Sequence, residues 1–267
     1  MLKWLLNKIS GRETDPPSPE EEPEPSAPPL RTPDPSGLEW RNDEQEAWLR
    51  EAVLPRLTED VVEALAALAG EEHPTIPPAD AAVLYAAVAE FEPTRIMEIG
   101  SGASTLVLNK ARHDFHLPGE LIAADPAPSL DLTPIVDAHV EKGAASLQPT
   151  DFEIFQPGEF MVLHLFGGGE DAAPGLRYVA EELLPALPEG VLLGVLGWPE
   201  PFDASDSWPA EARHALAVLL DFLRERPPKN VYTSPPAAGV LSAAAPGALP
   251  KESQLLLLRL SASASQA

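Results

Sequence analysis

The chain has 267 residues, 44% of them apolar, and a net charge of -24 from 42 acidic and 18 basic side chains. That is enough for one sizeable core, and the acidic excess excludes a nucleic-acid backbone as partner, because binding phosphates needs clustered Lys and Arg. With no cysteine, disulfides, thiolate metal sites and a cysteine nucleophile are excluded as well. No apolar run approaches the roughly 20 residues that cross a bilayer, and the opening residues lack a secretory signal, so a cytoplasmic location is expected.

The opening MLKWLLNKIS places Leu2, Leu5, Leu6 and Ile9 at helical spacing, with Lys3 and Lys8 beside them and Trp4 widening the apolar face. Residues 1–10 thus read as a short amphipathic segment. It suits docking of residues 1–9 on a protein partner or a membrane surface, or a turn that covers part of the main domain. Within residues 11–40, the stretch TDPPSPEEEPEPSAPPLRTPDPSG is dominated by Pro and Glu. It lacks amide donors and offers little to bury, which predicts a disordered, extended linker.

A helical preface is expected over residues 41–92. Asn42 and Gln45 stand in capping-box spacing, TEDVVEALAALAG runs from a Thr58 cap to a Gly70 stop, and PPADAAVLYAAVAEF supplies a third helix. Residues 93–267 then alternate. Strands are expected at RIMEIG, ELIAAD, FMVLHLF and GVLLGVL, with a weak one at AHVEK. Helices are expected at STLVLNKARH, around Leu132 to Ala138, at APGLRYVAEELLPAL and at PAEARHALAVLLDFLRER. Short apolar strands interleaved with amphipathic helices predict an α/β fold, a mostly parallel sheet wrapped on both faces. NVYTS and SQLLLLRL, with no helix between them, complete it as an antiparallel edge hairpin.

In such a sheet ligands bind at the carboxyl ends of the strands. The first strand ends in IMEIGSGAST, so Glu98, Gly100, Ser101, Gly102, Ser104 and Thr105 sit at the turn into the helix. The glycines allow a sharp bend and close approach to a nucleoside. The pattern is GxGxxT, and a carboxylate at Glu98 disfavours a pyrophosphate, which makes a dinucleotide oxidoreductase a distant alternative. Asp125, at the end of LIAADPAP, stands where a carboxylate can accept from both ribose hydroxyls.

These residues, with EIGSGAST, ADPAP and LLPALPEG as motifs, resemble the class I S-adenosylmethionine-dependent methyltransferases, in the bacterial branch with EIGSG-ST at the loop. The resemblance runs from about Trp48 to Leu260. It implies a Rossmann-like, doubly wound, seven-stranded sheet, S-adenosylmethionine as cofactor, Glu98 to Thr105 around its methionine part, Asp125 at its ribose and an adenine pocket near Glu141 to Ala144.

Members of that branch usually carry an acidic residue and a Ser-His pair after the fourth strand, and a His-Asp pair after the fifth. Here His164 stands where the Asp is expected, Phe166 and Gly167 replace Ser and His, and Leu196 and Gly197 replace His and Asp. His164 is the residual catalytic candidate, with Asp171, Asp203, Asp206 and His214 behind it. No metal site is expected, since hard cations need several converging oxygens. Two functions remain in competition: a methyltransferase for a small-molecule or saccharide-like acceptor, and a catalytically degenerate binding or scaffold module docked through its N-terminal arm.

Overall fold

The computed structural model describes residues 38–69, 76–164, 177–197, 210–234, 240–241 and 254–262. The expectations for the amphipathic segment, the Gly70 stop, Phe166, Gly167, Asp171, Asp203, Asp206 and all of the Pro/Glu linker but residues 38–40 lie outside these residues; Leu38 and Trp40, expected in the linker, pack against the core.

Helix α1 (Asn42–Trp48) continues through helical turns to Arg56. The expected capping box does not form: Arg41 precedes the helix at φ 50, and no side chain caps it. Gln45 turns inward, fully buried, where its amide donates to the Trp40 carbonyl and accepts from Ser234 Oγ at 2.8 Å. A tertiary site that satisfies both ends of a buried amide outweighs one exposed cap, because leaving such a group unpaired costs more than a single cap contributes. Helix α2 (Glu59–Leu68) starts as expected, with Thr58 Oγ1 accepting from the Val61 amide at 3.4 Å. Helix α3 (Pro78–Phe91) is buried on all sides from Ala79 to Val88. Its run of alanines lets it lie between the preceding helices and the sheet.

Among the described residues seven strands form one sheet: β1 (Arg95–Ile99), β2 (Glu120–Ala124), β3 (Ala138–Val140), β4 (Phe160–His164), β5 (Leu192–Leu196), β6 (Asn230–Thr233) and β7 (Leu255–Arg259). Their order is β3-β2-β1-β4-β5-β7-β6. The first five pair in parallel, and β7 runs antiparallel to both β5 and β6. This is a Rossmann-like, doubly wound sheet with an antiparallel edge pair.

Alternate residues of each strand serve opposite faces. On one face Ile96, Phe160, Val162, Leu192 and Leu257 pack with α3 and with α4 (Ala103–Asp114). Leu49, Val53, Leu57 and Leu65 belong to the same cluster, so the helical preface shares the core of the sheet. On the other face Met97, Ile122, Leu163, Leu193 and Leu256 meet the short helix α5 (Pro149–Phe152), α6 (Leu184–Ala186, continuing the helical turn Val179–Leu183) and α7 (Ala210–Glu225). Gly194 is the small residue that admits Phe160: a Cβ there would stand 3.1 Å from the ring.

One expected helix is absent. From Leu132 to Ala138 the chain makes a single turn, in which the amides of Ile135 and Val136 both bond Leu132 O. Pro134 supplies no donor, and Asp137 draws the chain to the sheet by accepting from the Leu121 amide at 2.8 Å.

Between α3 and α4 the Tyr85 hydroxyl donates to Asp114 at 2.7 Å, and Lys110 Nζ lies 2.8 Å from the same carboxylate. Partial burial pushes the Asp114 carboxyl up, but the bonds from Lys110 and Tyr85 and the charges of Lys110 and His113 outweigh it and hold the group below its ordinary value of 3.8. A carboxyl depressed on folding contributes stability above its unfolded pKa and loses it as pH falls through the folded one. Asp114→Asn is therefore expected to lose less of its urea midpoint than the parent between neutral pH and about pH 3. Parallel acid profiles for the two proteins would count against this contribution.

Candidate functional site

β1 pairs with β2 on one side and β4 on the other, so the chain reverses its direction of winding at β1 and β4. The crevice above the carboxyl ends of those strands is where an open α/β sheet takes ligands. Gly100 turns the chain there at φ +86, a left-handed conformation that favours glycine, and its amide donates to Ala124 O at 2.9 Å. Gly102 follows, its amide held by Thr105 Oγ1 at 3.0 Å, and α4 begins at Ala103.

Glu98 lies directly beneath this loop and is fully buried. Ser104 Oγ donates to its Oε1 and Thr105 Oγ1 to its Oε2, each at 2.5 Å. His164 Nε2 stands 2.9 Å from Oε1 and 2.8 Å from Ser104 Oγ. Because a carboxylate only accepts, the proton is assigned to Nε2, shared between these two oxygens. The register explains the encounter: Ile99 pairs with Leu163, which places Gly100 beside His164. A Cβ on Gly100 would lie 3.3 Å from His164 Cβ, so the glycine also makes room for that side chain. Burying a carboxylate is costly unless its oxygens are hydrogen-bonded, and here both are, by the loop's own hydroxyls and one imidazole.

Asp125 stands at the carboxyl end of β2, partly exposed. Its Oδ2 accepts from the Ser101 amide at 2.9 Å and from Ser101 Oγ at 2.6 Å, and Oδ1 accepts from the Ala127 amide at 2.9 Å. His139 Nε2 bonds the Asp125 carbonyl at 2.7 Å. A carboxylate offers about four acceptor positions, so one position on Oδ1 is not taken by these bonds.

Glu98, Gly100, Ser101, Gly102, Ser104, Thr105, Asp125 and His164 therefore come together at one strand-end cluster. His214 does not join them: it is buried in α7 on the opposite face of the sheet. Leu196, beside His164 in the register, is buried and apolar. Asp171, Asp203 and Asp206 lie outside the described residues. Among the described residues no group of three His, Asp or Glu side chains could hold a metal ion, and no helix is long and apolar enough to cross a membrane.

The roles of Ser101 and His139 toward Asp125 went unread in the sequence. The available signal was a hydroxyl residue between the two glycines, facing an acidic residue that ends the neighbouring strand. As to chemistry, Asp125 can accept from a vicinal diol and the loop can lie close to a flat ligand. With its Nε2 proton directed at Glu98 and Ser104, His164 does not offer that nitrogen as a base in this arrangement.

No protein-family model and no curated protein matches the chain. Solved structures similar to it include an apo structure of CmcI, at 14% identity and a TM-score of 0.40, covering 70% of this chain and 72% of that one. The SAH-bound methyltransferase PaMTH1 of Podospora anserina aligns at 13% identity and a TM-score of 0.39, over 82% of this chain and 87% of that one. A DUF574 family protein from Streptomyces avermitilis aligns at 13% and 0.37, over 82% and 89%. Identities and scores of this size transfer no residue role to the present chain.

Proposed function

We propose that the crevice between β1 and β4 binds S-adenosylmethionine and that the protein is a methyltransferase for a small-molecule or saccharide-like acceptor. The observation that carries this reading is Asp125: a carboxylate at the end of β2, tied to the glycine loop through Ser101, with one acceptor position not taken by those bonds. The sequence resemblance supplies the identity of the ligand.

In this reading Gly100, Ser101 and Gly102 let the cofactor's methionine part approach the backbone, and Asp125 holds the ribose. Ser104 and Thr105 act with Glu98 from below, fixing the loop's shape through the three hydrogen bonds to that carboxylate. The cofactor supplies an electrophilic methyl group. The chain's task is to hold an acceptor in line with it, and positioning alone contributes much of the rate in such transfers.

A second reading, a binding or scaffold module without turnover, is favoured by one observation: His164 is engaged by Glu98 and Ser104, and Leu196 beside it is apolar. Titration calorimetry of the full chain with S-adenosylmethionine and its demethylated product separates the readings. Saturable heat below millimolar ligand is expected. No heat at millimolar ligand would remove the cofactor assignment, and binding without methyl transfer to any acceptor would favour the scaffold.

A further inference from the structure

The ladder between β2 and β3 ends in an exchange of donors. Ile122, Ala123 and Ala124 pair with Ala138, His139 and Val140, and the Asp125 amide adds one bond more, to Val140 O at 3.0 Å. In a parallel pair each residue donates to one side of its partner and accepts from the other, so the next rung would run from the Lys142 amide to Asp125 O. That amide instead turns back to Val140 O at 2.7 Å. A side chain meets the Asp125 carbonyl in its place. His139 Nε2 stands 2.7 Å from that oxygen, and because a carbonyl only accepts, the ring nitrogen donates. Pro126 follows, and its nitrogen carries no hydrogen. The peptide between Asp125 and Pro126 therefore has one hydrogen-bonding group, the carbonyl that His139 holds.

We propose that His139 is a positioning residue for Asp125: by replacing a ladder donor it fixes the peptide after Asp125, and with it the direction in which the carboxylate leaves the strand. Backbone bonds on both sides of a residue set its φ and ψ, and these set where its Cβ points. β3 supplies both, Val140 O for the Asp125 amide and His139 for the carbonyl. Ser101 and the Ala127 amide then hold the carboxylate itself. Without His139 one side of this frame is released, and the bonds from Ser101 and Ala127 have to hold a carboxylate whose backbone moves. The consequence for ligand affinity rests on the S-adenosylmethionine reading, whereas the positioning of Asp125 does not.

Two measurements on the full chain test this. The first uses no ligand: in His139→Ala the amides of Ser101 and Ala127 are expected to exchange several-fold faster with solvent deuterium than in the parent. His139→Gln, whose amide nitrogen reaches about as far as Nε2, should restore the parent rates, and the shorter His139→Asn should not. The second is calorimetry with the demethylated product of S-adenosylmethionine. His139→Ala should weaken binding three- to tenfold, as for one ordinary hydrogen bond, and His139→Gln should recover it. In an Asp125→Ala background the same His139→Ala change should alter affinity less than twofold, because its route to the ligand is gone.

Unchanged exchange at Ser101 and Ala127 in His139→Ala would overturn the proposal. So would equal effects of the Ala and Gln variants, which would assign the role to packing of the ring, or an undiminished His139→Ala effect in the Asp125→Ala background, which would place His139 on the ligand itself. A parent that shows the expected exchange pattern and binds no product would support the positioning of Asp125 and remove the cofactor reading.

Discussion

Replacing Glu98 by Ala is expected to lower the unfolding free energy by about 3–5 kcal/mol, because three donors lose one acceptor group together and each such loss costs about 1–3 kcal/mol. The side chain is fully buried and accepts from Ser104, Thr105 and His164. Without it the imidazole N–H keeps only Ser104 as a partner, and two hydroxyls must rotate toward whatever acceptor remains. For a domain of this size the thermal midpoint should fall by roughly 10 °C or more. Glu98→Gln should cost less, because it keeps one acceptor and turns the other into a donor facing a donor. The double variant Glu98→Leu, His164→Leu should recover part of the loss, since removing both members leaves fewer polar groups unpaired. Urea unfolding of the four proteins measures this, and a Glu98→Ala change within about 1 kcal/mol of the parent would show that the cluster is not held as described.

The second large effect is on binding. Asp125→Ala is expected to weaken the S-adenosylmethionine product complex roughly 30- to 150-fold, the equivalent of about 2–3 kcal/mol for hydrogen bonds to a charged acceptor. Asp125 also holds the Ser101 amide and hydroxyl, so the loss has two sources, contact with the ligand and shape of the loop. Ser101→Ala separates them. It removes only the hydroxyl bond and opens a second acceptor position on Asp125, so binding should tighten severalfold if that oxygen meets the ribose. Calorimetry on both variants decides the matter: equal weakening by Ser101→Ala and Asp125→Ala would mean that Asp125 serves the loop and does not touch the ligand.

Much of the fold could be read from the chain because it is written in periods. The runs RIMEI, ELIAA, FMVLH and LLGVL are too short for helices and too apolar for loops, and each is a parallel strand. Where reading failed, a distant partner overrode a local pattern. The Asn42 and Gln45 spacing gave way to Ser234, a residue at the far side of the chain. The helix expected near Leu132 gave way to the bond between Asp137 and the Leu121 amide.

The site divides in the same way. That Glu98, Gly100 and Asp125 lie at strand ends follows from the element boundaries alone. That His164 closes over Glu98 depends on β4 lying next to β1 in one register, and no local pattern near residue 98 or 164 encodes that pairing.

The place of β7 has a consequence for how the protein is made. This strand comes last among the described strands, yet it slots between β5 and β6 and contributes Leu255 to Leu258 to both faces of the core. Until it arrives, β5 presents a bare, wholly apolar edge, the kind of surface on which nascent chains stick to one another. The sheet therefore cannot close during synthesis of its first six strands. The molecule must pass through a stage with an open seam, and this stage is where misassembly, chaperone capture or a destabilising change in Gly194 or Leu257 would act first.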